Sequence, residues 1–123
     1  MPGRLTYWKG QEKFIESLNI LVEDYSFTNF EAIILGSDQG RTVYKKKLVN
    51  LVARYNLNKK IKFINHCKEM PLAYSLADVV VSASIEPEAF GRVAVEAQSM
   101  SKPIIASNIG GSKETIINKK SGF

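Results

Sequence analysis

The sequence predicts an α/β fold with a doubly wound, open parallel sheet flanked by helices. Two observations lead there: four short apolar runs rich in β-branched residues, and amphipathic helical patterns that alternate with them. Continuous apolar runs of four to six residues suit strands buried on both faces. Their alternation with helices implies right-handed crossovers between parallel neighbours. In such a sheet a ligand lies beyond the carboxyl ends of the strands, so the residues just after each run carry the functional reading.

The chain opens with Met1-Pro2-Gly3-Arg4, which reads as loop with no strand before it. From Gln11 to Tyr25 the spacing places Phe14, Leu18, Leu21, Val22 and Tyr25 on one face of a helix. The first apolar run is Glu31 to Gly36. Thr42 to Tyr55 repeats the helical spacing with Tyr44, Leu48, Leu51, Val52 and Tyr55. The second run, Ile61 to Asn65, precedes a short helix expected over Met70 to Ala77. The third, Asp78 to Ser84, precedes a helix from about Gly91 to Met100. The fourth, Pro103 to Ser107, leads through Gly110-Gly111 to a last helix beginning near Ser112. The closing Ser121-Gly122-Phe123 could start a further strand. The reading is one domain, residues 1–123, incomplete at both ends.

With 45% apolar residues in 123, the chain has material for a single core. A charged fraction of 24% argues against disorder. The net charge of +5 and pI near 9.4 favour an anionic partner. The lysines at 45–47, 59–62 and 119–120 lack interleaved aromatics, so they read as solvated faces and no nucleic-acid partner is expected. Cys67 stands alone, which rules out an intrachain disulfide and a cysteine-built zinc site, and fits a reducing, cytoplasmic setting. No run approaches the roughly 18 apolar residues of a membrane span.

The densest chemical signal is Ser82 to Met100 (SASIEPEAFGRVAVEAQSM). A strand ends in small hydroxyl residues, a loop carries Glu86 and Glu88, and a helix starts at about Gly91. The unpaired N–H groups at its start can hold an anion at Phe90, Gly91 and Arg92. Glu88 just outside the helix and Glu96 two turns into it can face one cleft edge, and carboxylates accept hydrogen bonds from vicinal sugar hydroxyls. Glu96 has apolar neighbours in Val93, Ala94, Val95 and Ala97, so it calls for a partner.

At the other end, Arg4 and Lys9 flank a glycine-bounded turn before a helix, where a bidentate guanidinium and a compact ammonium suit a diphosphate. Gly110-Gly111-Ser112 reads as turn and helix start rather than ligand contact. His66, the only histidine, could touch a base or act in acid-base work, although a structural loop histidine is the commoner case. Paired aspartates for a divalent cation, a phosphate loop, a G-x-G-x-x-G and a G-x-S-x-G elbow are all missing. No metal or other cofactor is expected.

These residues resemble the retaining glycosyltransferases of the GT-B fold, family four, in their C-terminal, Rossmann-like domain. The resemblance is carried by G-R-L…K-G at Gly3 to Gly10, Glu88 and Glu96 inside E-A-F-G-R-V-A-V-E-A, the run A-D-V-V-V-S-A-S, and P-I-I-A-S-x-I-G-G. It implies that Arg4 and Lys9 bind the donor diphosphate, with amides near Phe90 and Gly91 beside them. It implies that Glu88 holds sugar hydroxyls, that Glu96 binds the ribose, and that the backbone around Asn65 to Cys67 receives the base. The implied reaction moves a hexosyl group from a nucleoside-diphosphate sugar to an acceptor hydroxyl with retention.

The family's N-terminal acceptor domain is absent from this sequence, so the chain alone is expected to be inactive. The acceptor class that the family suggests, lipopolysaccharide or another cell-envelope glycan, would bring the full enzyme to the inner face of the membrane. Two other readings stay open: a non-catalytic nucleotide-binding module that docks with a partner chain, and a fragment of a nucleotide-sugar epimerase.

Overall fold

The computed structural model describes all 123 residues. After a single 3-10 turn at Tyr7–Lys9, the elements run α1 (Gln11–Glu23), β1 (Ala32–Leu35), α2 (Thr42–Arg54), β2 (Ile61–Ile64), α3 (Met70–Ser75), β3 (Val80–Ser82), α4 (Arg92–Ser99), β4 (Ile104–Ala106) and α5 (Ser112–Thr115). The alternation expected from the apolar runs is therefore the alternation observed.

β1 and β2 pair in parallel, Ala32 opposite Ile61 through Leu35 opposite Ile64. β3 and β4 also pair in parallel, from Val80 opposite Ile104 to Ser82 opposite Ala106. Terminal segments extend both ladders. The opening residues, expected as loop, run as an extended strip along β1: Leu35 N–H donates to Met1 O at 3.0 Å, Gly3 N–H to Leu35 O at 2.8 Å and Leu5 N–H to Ser37 O at 3.0 Å. Composition hid this, because Pro2 and Gly3 are poor strand formers and only the free edge of β1 makes them extended. At the other end Phe123 N–H donates to Ile104 O and Ala106 N–H to Phe123 O, both at 2.8 Å.

Alternate amides of β1 face β2 and the opening strip, so the strip lies on the edge away from β2. The two ladders meet where Ile85 N–H donates to Trp8 O at 2.8 Å. From this seam the chain winds both ways: the opening strip leads through α1 back to β1, and β3 leads through α4 to β4. The seam is thus the topological switch point at which an open α/β sheet forms its ligand crevice.

The core follows the same division. Leu5, Ile15, Leu18, Ile34, Leu48, Val52, Leu57 and Ile61 pack α1 and α2 onto the first ladder. Tyr74, Val80, Ala94, Ala97 and Ile104 pack α3 and α4 onto the second. Alanines at 94 and 97 let α4 lie close to the sheet. The helix expected through Tyr25 is two residues too long: α1 ends at Glu23, and Tyr25 is 72% exposed. α3 likewise stops at Ser75 rather than Ala77.

Candidate functional site

The seam positions the site. Beyond the opening strip, the 3-10 turn ends at Gly10, whose φ of 71° starts α1. A Cβ at this position would lie 1.8 Å from the carbonyl oxygen of Ala83, so only glycine seats the turn on the end of β3. Gln11, fully buried, donates from Nε2 to Arg4 O at 2.7 Å and receives Tyr44 OH at 3.4 Å. The turn carrying Arg4 and Lys9 is thereby tied to both α1 and α2.

Lys9 crosses the seam. Its Nζ lies 2.6 Å from Glu88 Oε2, and the two side chains are only 12% and 17% exposed. The hydroxyl of buried Ser84 donates to the other carboxylate oxygen, Oε1. Lys9 Nζ and the Arg4 guanidinium both approach the ring of Trp8, at 4.7 and 5.8 Å from its centroid, so one indole collects both cations. Tyr7 OH donates to Glu86 Oε1 at 2.5 Å, a second tie between the turn and the loop after β3.

Burial alone pushes the Glu88 carboxyl up. The hydrogen bonds from Lys9 and Ser84, with the charges of Lys9 and Arg92, outweigh it and hold the group below the usual carboxylate range. A carboxylate whose pKa is depressed by folding adds stability above its unfolded pKa and loses that stability as pH falls through the folded value. Glu88→Gln is therefore expected to cost about 2 kcal/mol at pH 7. The gap to wild type should start to narrow as pH falls below the ordinary glutamate value of about 4.3 and go on narrowing as pH falls through the lower folded-state value, as urea titrations at pH 7, 5 and 3.5 would measure; a gap that stays constant with pH would refute the linkage.

α4 begins directly after this loop. Gly91 is its N-cap, and no side chain caps the first-turn amides. They remain available for an anion at Phe90, Gly91 and Arg92. Phe90 and Arg92 are exposed, and Gly91 is buried. The loop is held from beneath by the next turn: Gly111 N–H donates to Glu88 O at 2.8 Å. A Cβ on Gly110 or Gly111 would come within 2.5 Å of Glu88 O or Phe90 C. The diglycine thus acts as a support for the loop and as the lead-in to α5.

Glu96 has the partner its apolar neighbours called for. Tyr74 OH on α3, itself 3% exposed, donates to Glu96 Oε2 at 2.6 Å. Burial, then the bond to Glu96 and its charge, raise the Tyr74 pKa, with Arg92 pulling the other way. Arg92 is thus felt by both Glu88 and the Tyr74–Glu96 pair.

Arg4, Lys9, Glu88, Gly91 and Arg92 gather at the seam, and Glu96 follows along α4. His66 does not join them. It is exposed after β2, on the far side of β1 from the opening strip, and no hydrogen bond or ion pair links it to the others. Sequence reasoning missed Trp8, Ser84, Tyr74 and Gln11. Trp8 stands beside Lys9 in the same turn, and Ser84 is one of the small hydroxyl residues at the strand end. Tyr74 and Gln11 gave no such signal, since each is a helical residue whose partner lies elsewhere in the chain. No helix is long and apolar enough to cross a membrane.

Comparison with known proteins places the fold and the family. A family model described as glycosyl transferases group 1 matches residues 1–123. The chain superposes on a glycosyltransferase from Rickettsia africae with a TM-score of 0.92 and 36% identity, covering 100% of this chain and 31% of that one. Anabaena HepE in complex with UDP-glucose gives a TM-score of 0.89 at 32% identity, over 98% of this chain and 32% of that one. The C-terminal domain of a glycosyl transferase group 1 family protein from Francisella tularensis gives 0.84 at 31% identity, over 100% and 63%. The chain thus spans about a third of the length of the first two. With the Rossmann-like architecture of a GT-B C-terminal domain and a family match along its whole length, this chain belongs to the glycosyl transferases group 1.

Proposed function

We propose that the chain is the donor-binding domain of a retaining glycosyltransferase that transfers a hexosyl group from a nucleoside-diphosphate sugar to an acceptor hydroxyl. The observation that carries this reading is the Lys9–Glu88 pair at the seam, beside the uncapped start of α4. It sets a cation for phosphate next to a carboxylate for sugar hydroxyls at the fold's natural crevice. Arg4, Lys9 and the amides of Gly91 and Arg92 take the diphosphate, Glu88 takes the sugar, and Glu96 takes the ribose. The segment Asn65 to Cys67 would meet the base, through its backbone and the His66 side chain.

As the anomeric C–O bond breaks, negative charge grows on the departing diphosphate. Preplaced positive groups stabilise that charge more than they stabilise the intact donor, which lowers the barrier. The acceptor, proposed as lipopolysaccharide or another cell-envelope glycan at the cytoplasmic face of the membrane, would be held by residues outside this chain. On this reading the chain binds donor by itself and transfers nothing.

The test is a thermal-shift and calorimetric panel of UDP, GDP and ADP with their sugars. The complexes of Anabaena HepE make UDP the first expectation. A ligand at 100 times its dissociation constant adds about 2.7 kcal/mol of stability. If no nucleoside diphosphate binds at millimolar concentration, the donor-binding reading is wrong.

A further inference from the structure

Glu88 is gripped at both oxygens, and the two grips differ in kind. Lys9 Nζ holds Oε2 from across the seam, on a long flexible stem, and already lies over the Trp8 ring that also receives Arg4. Ser84 holds Oε1 from the end of β3, four residues before Glu88, and is only 5% exposed. A diphosphate arriving at the start of α4 carries more negative charge than one carboxylate and offers more acceptor oxygens, so it competes well for Lys9. It has no such claim on the buried hydroxyl of Ser84. Glu86, the other carboxylate of the loop, accepts from Tyr7 OH at Oε1.

Once Lys9 turns to phosphate, Oε2 is left without its donor while Oε1 keeps its own. An ionised carboxylate oxygen in that state accepts a hydroxyl readily. In the free protein the charge of Arg92 also favours the ionised form of Glu88.

We propose that Ser84 is the positioning residue that keeps Glu88 aimed at the sugar after a donor diphosphate has drawn Lys9 away. The proposal rests on the donor-binding reading and adds a coupling to it. Diphosphate capture opens the acceptor atom that the sugar needs, so the free site is closed to sugar alone.

The experiment is calorimetry on this chain with UDP and UDP-glucose, or with the guanosine or adenosine pair if the panel selects one. Wild type, Ser84→Ala, Ser84→Thr and Glu88→Gln are compared. Wild type is expected to prefer the sugar nucleotide over the bare diphosphate. Ser84→Ala should hold UDP within about twofold while losing about tenfold on UDP-glucose, the size of one hydrogen bond to a charged group. Ser84→Thr, which keeps the hydroxyl, should restore the preference. Glu88→Gln should also lose the preference but bind UDP more tightly, because Lys9 no longer has a rival partner.

A merely structural Ser84 would weaken both ligands in parallel or neither, and either result overturns the proposal. So does weaker UDP binding by Glu88→Gln, a measurement that stands even if Ser84→Ala fails to fold. Failure of wild type to bind any nucleoside diphosphate removes the donor reading itself, a separate outcome.

Discussion

Gly10→Ala is expected to destabilise the protein by at least about 3 kcal/mol. The residue sits at φ 71°, and a Cβ would lie 1.8 Å from Ala83 O and 2.7 Å from Ala83 C. Both are backbone atoms at the end of a paired strand, so neither can swing aside as a flexible side chain would. The turn must lift off β3, which breaks the Ile85–Trp8 hydrogen bond and separates Lys9 from Glu88. Gly40 supplies the control. It has a similar φ of 81° with open space around it, so Gly40→Ala carries the conformational strain without the collision, about 1 kcal/mol. Urea titration of both variants separates the two contributions, and equal losses would show that the close approach to Ala83 is unimportant.

Lys9→Ala is expected to lower kcat/KM of an enzyme containing this domain by about a hundredfold to a thousandfold, the usual cost of losing one preplaced charge at a developing anion. The same change leaves Glu88 half-buried without its ion-pair partner and costs stability as well, about 1–3 kcal/mol. The two effects are separated by assaying well below the melting temperature and by comparison with Glu88→Gln. That variant shares the broken pair but keeps the cation, so UDP affinity should fall in Lys9→Ala and rise in Glu88→Gln. Parallel behaviour of the two would mean that the pair is only a structural tie.

The architecture was largely legible because its determinants are local. Runs such as Asp78 to Ser84 suit strands, which the structure narrows to Val80–Ser82, and the spacing of Leu48 and Val52 fixes the covered face of α2. Long-range pairing was not legible. Met1 to Leu5 read as loop since their extended form is imposed by β1, some thirty residues away. The convergence of Lys9 with Glu88 was implied by the family resemblance and not by the strand pattern, because the opening residues read as loop and gave Lys9 no strand to follow. That they hold each other depends on side-chain reach across the seam, which spacing does not encode. The demand of Glu96 for a partner was readable from its apolar neighbours, but its identity, Tyr74 on another helix, was not. His66 stands apart from the gathered residues because β2 lies on the far side of β1 from the opening strip, a separation that follows from strand order and not from local spacing.

The support that Gly110 and Gly111 give to the Glu88–Phe90 loop bears on protein engineering and on divergence among relatives. The height at which the carboxylate stands is gauged by a bend more than twenty positions downstream, with α4 and β4 intervening. Transplanting this loop from one relative into another should misplace its glutamate unless the matching diglycine bend travels with it, even when every donor-facing side chain has been copied.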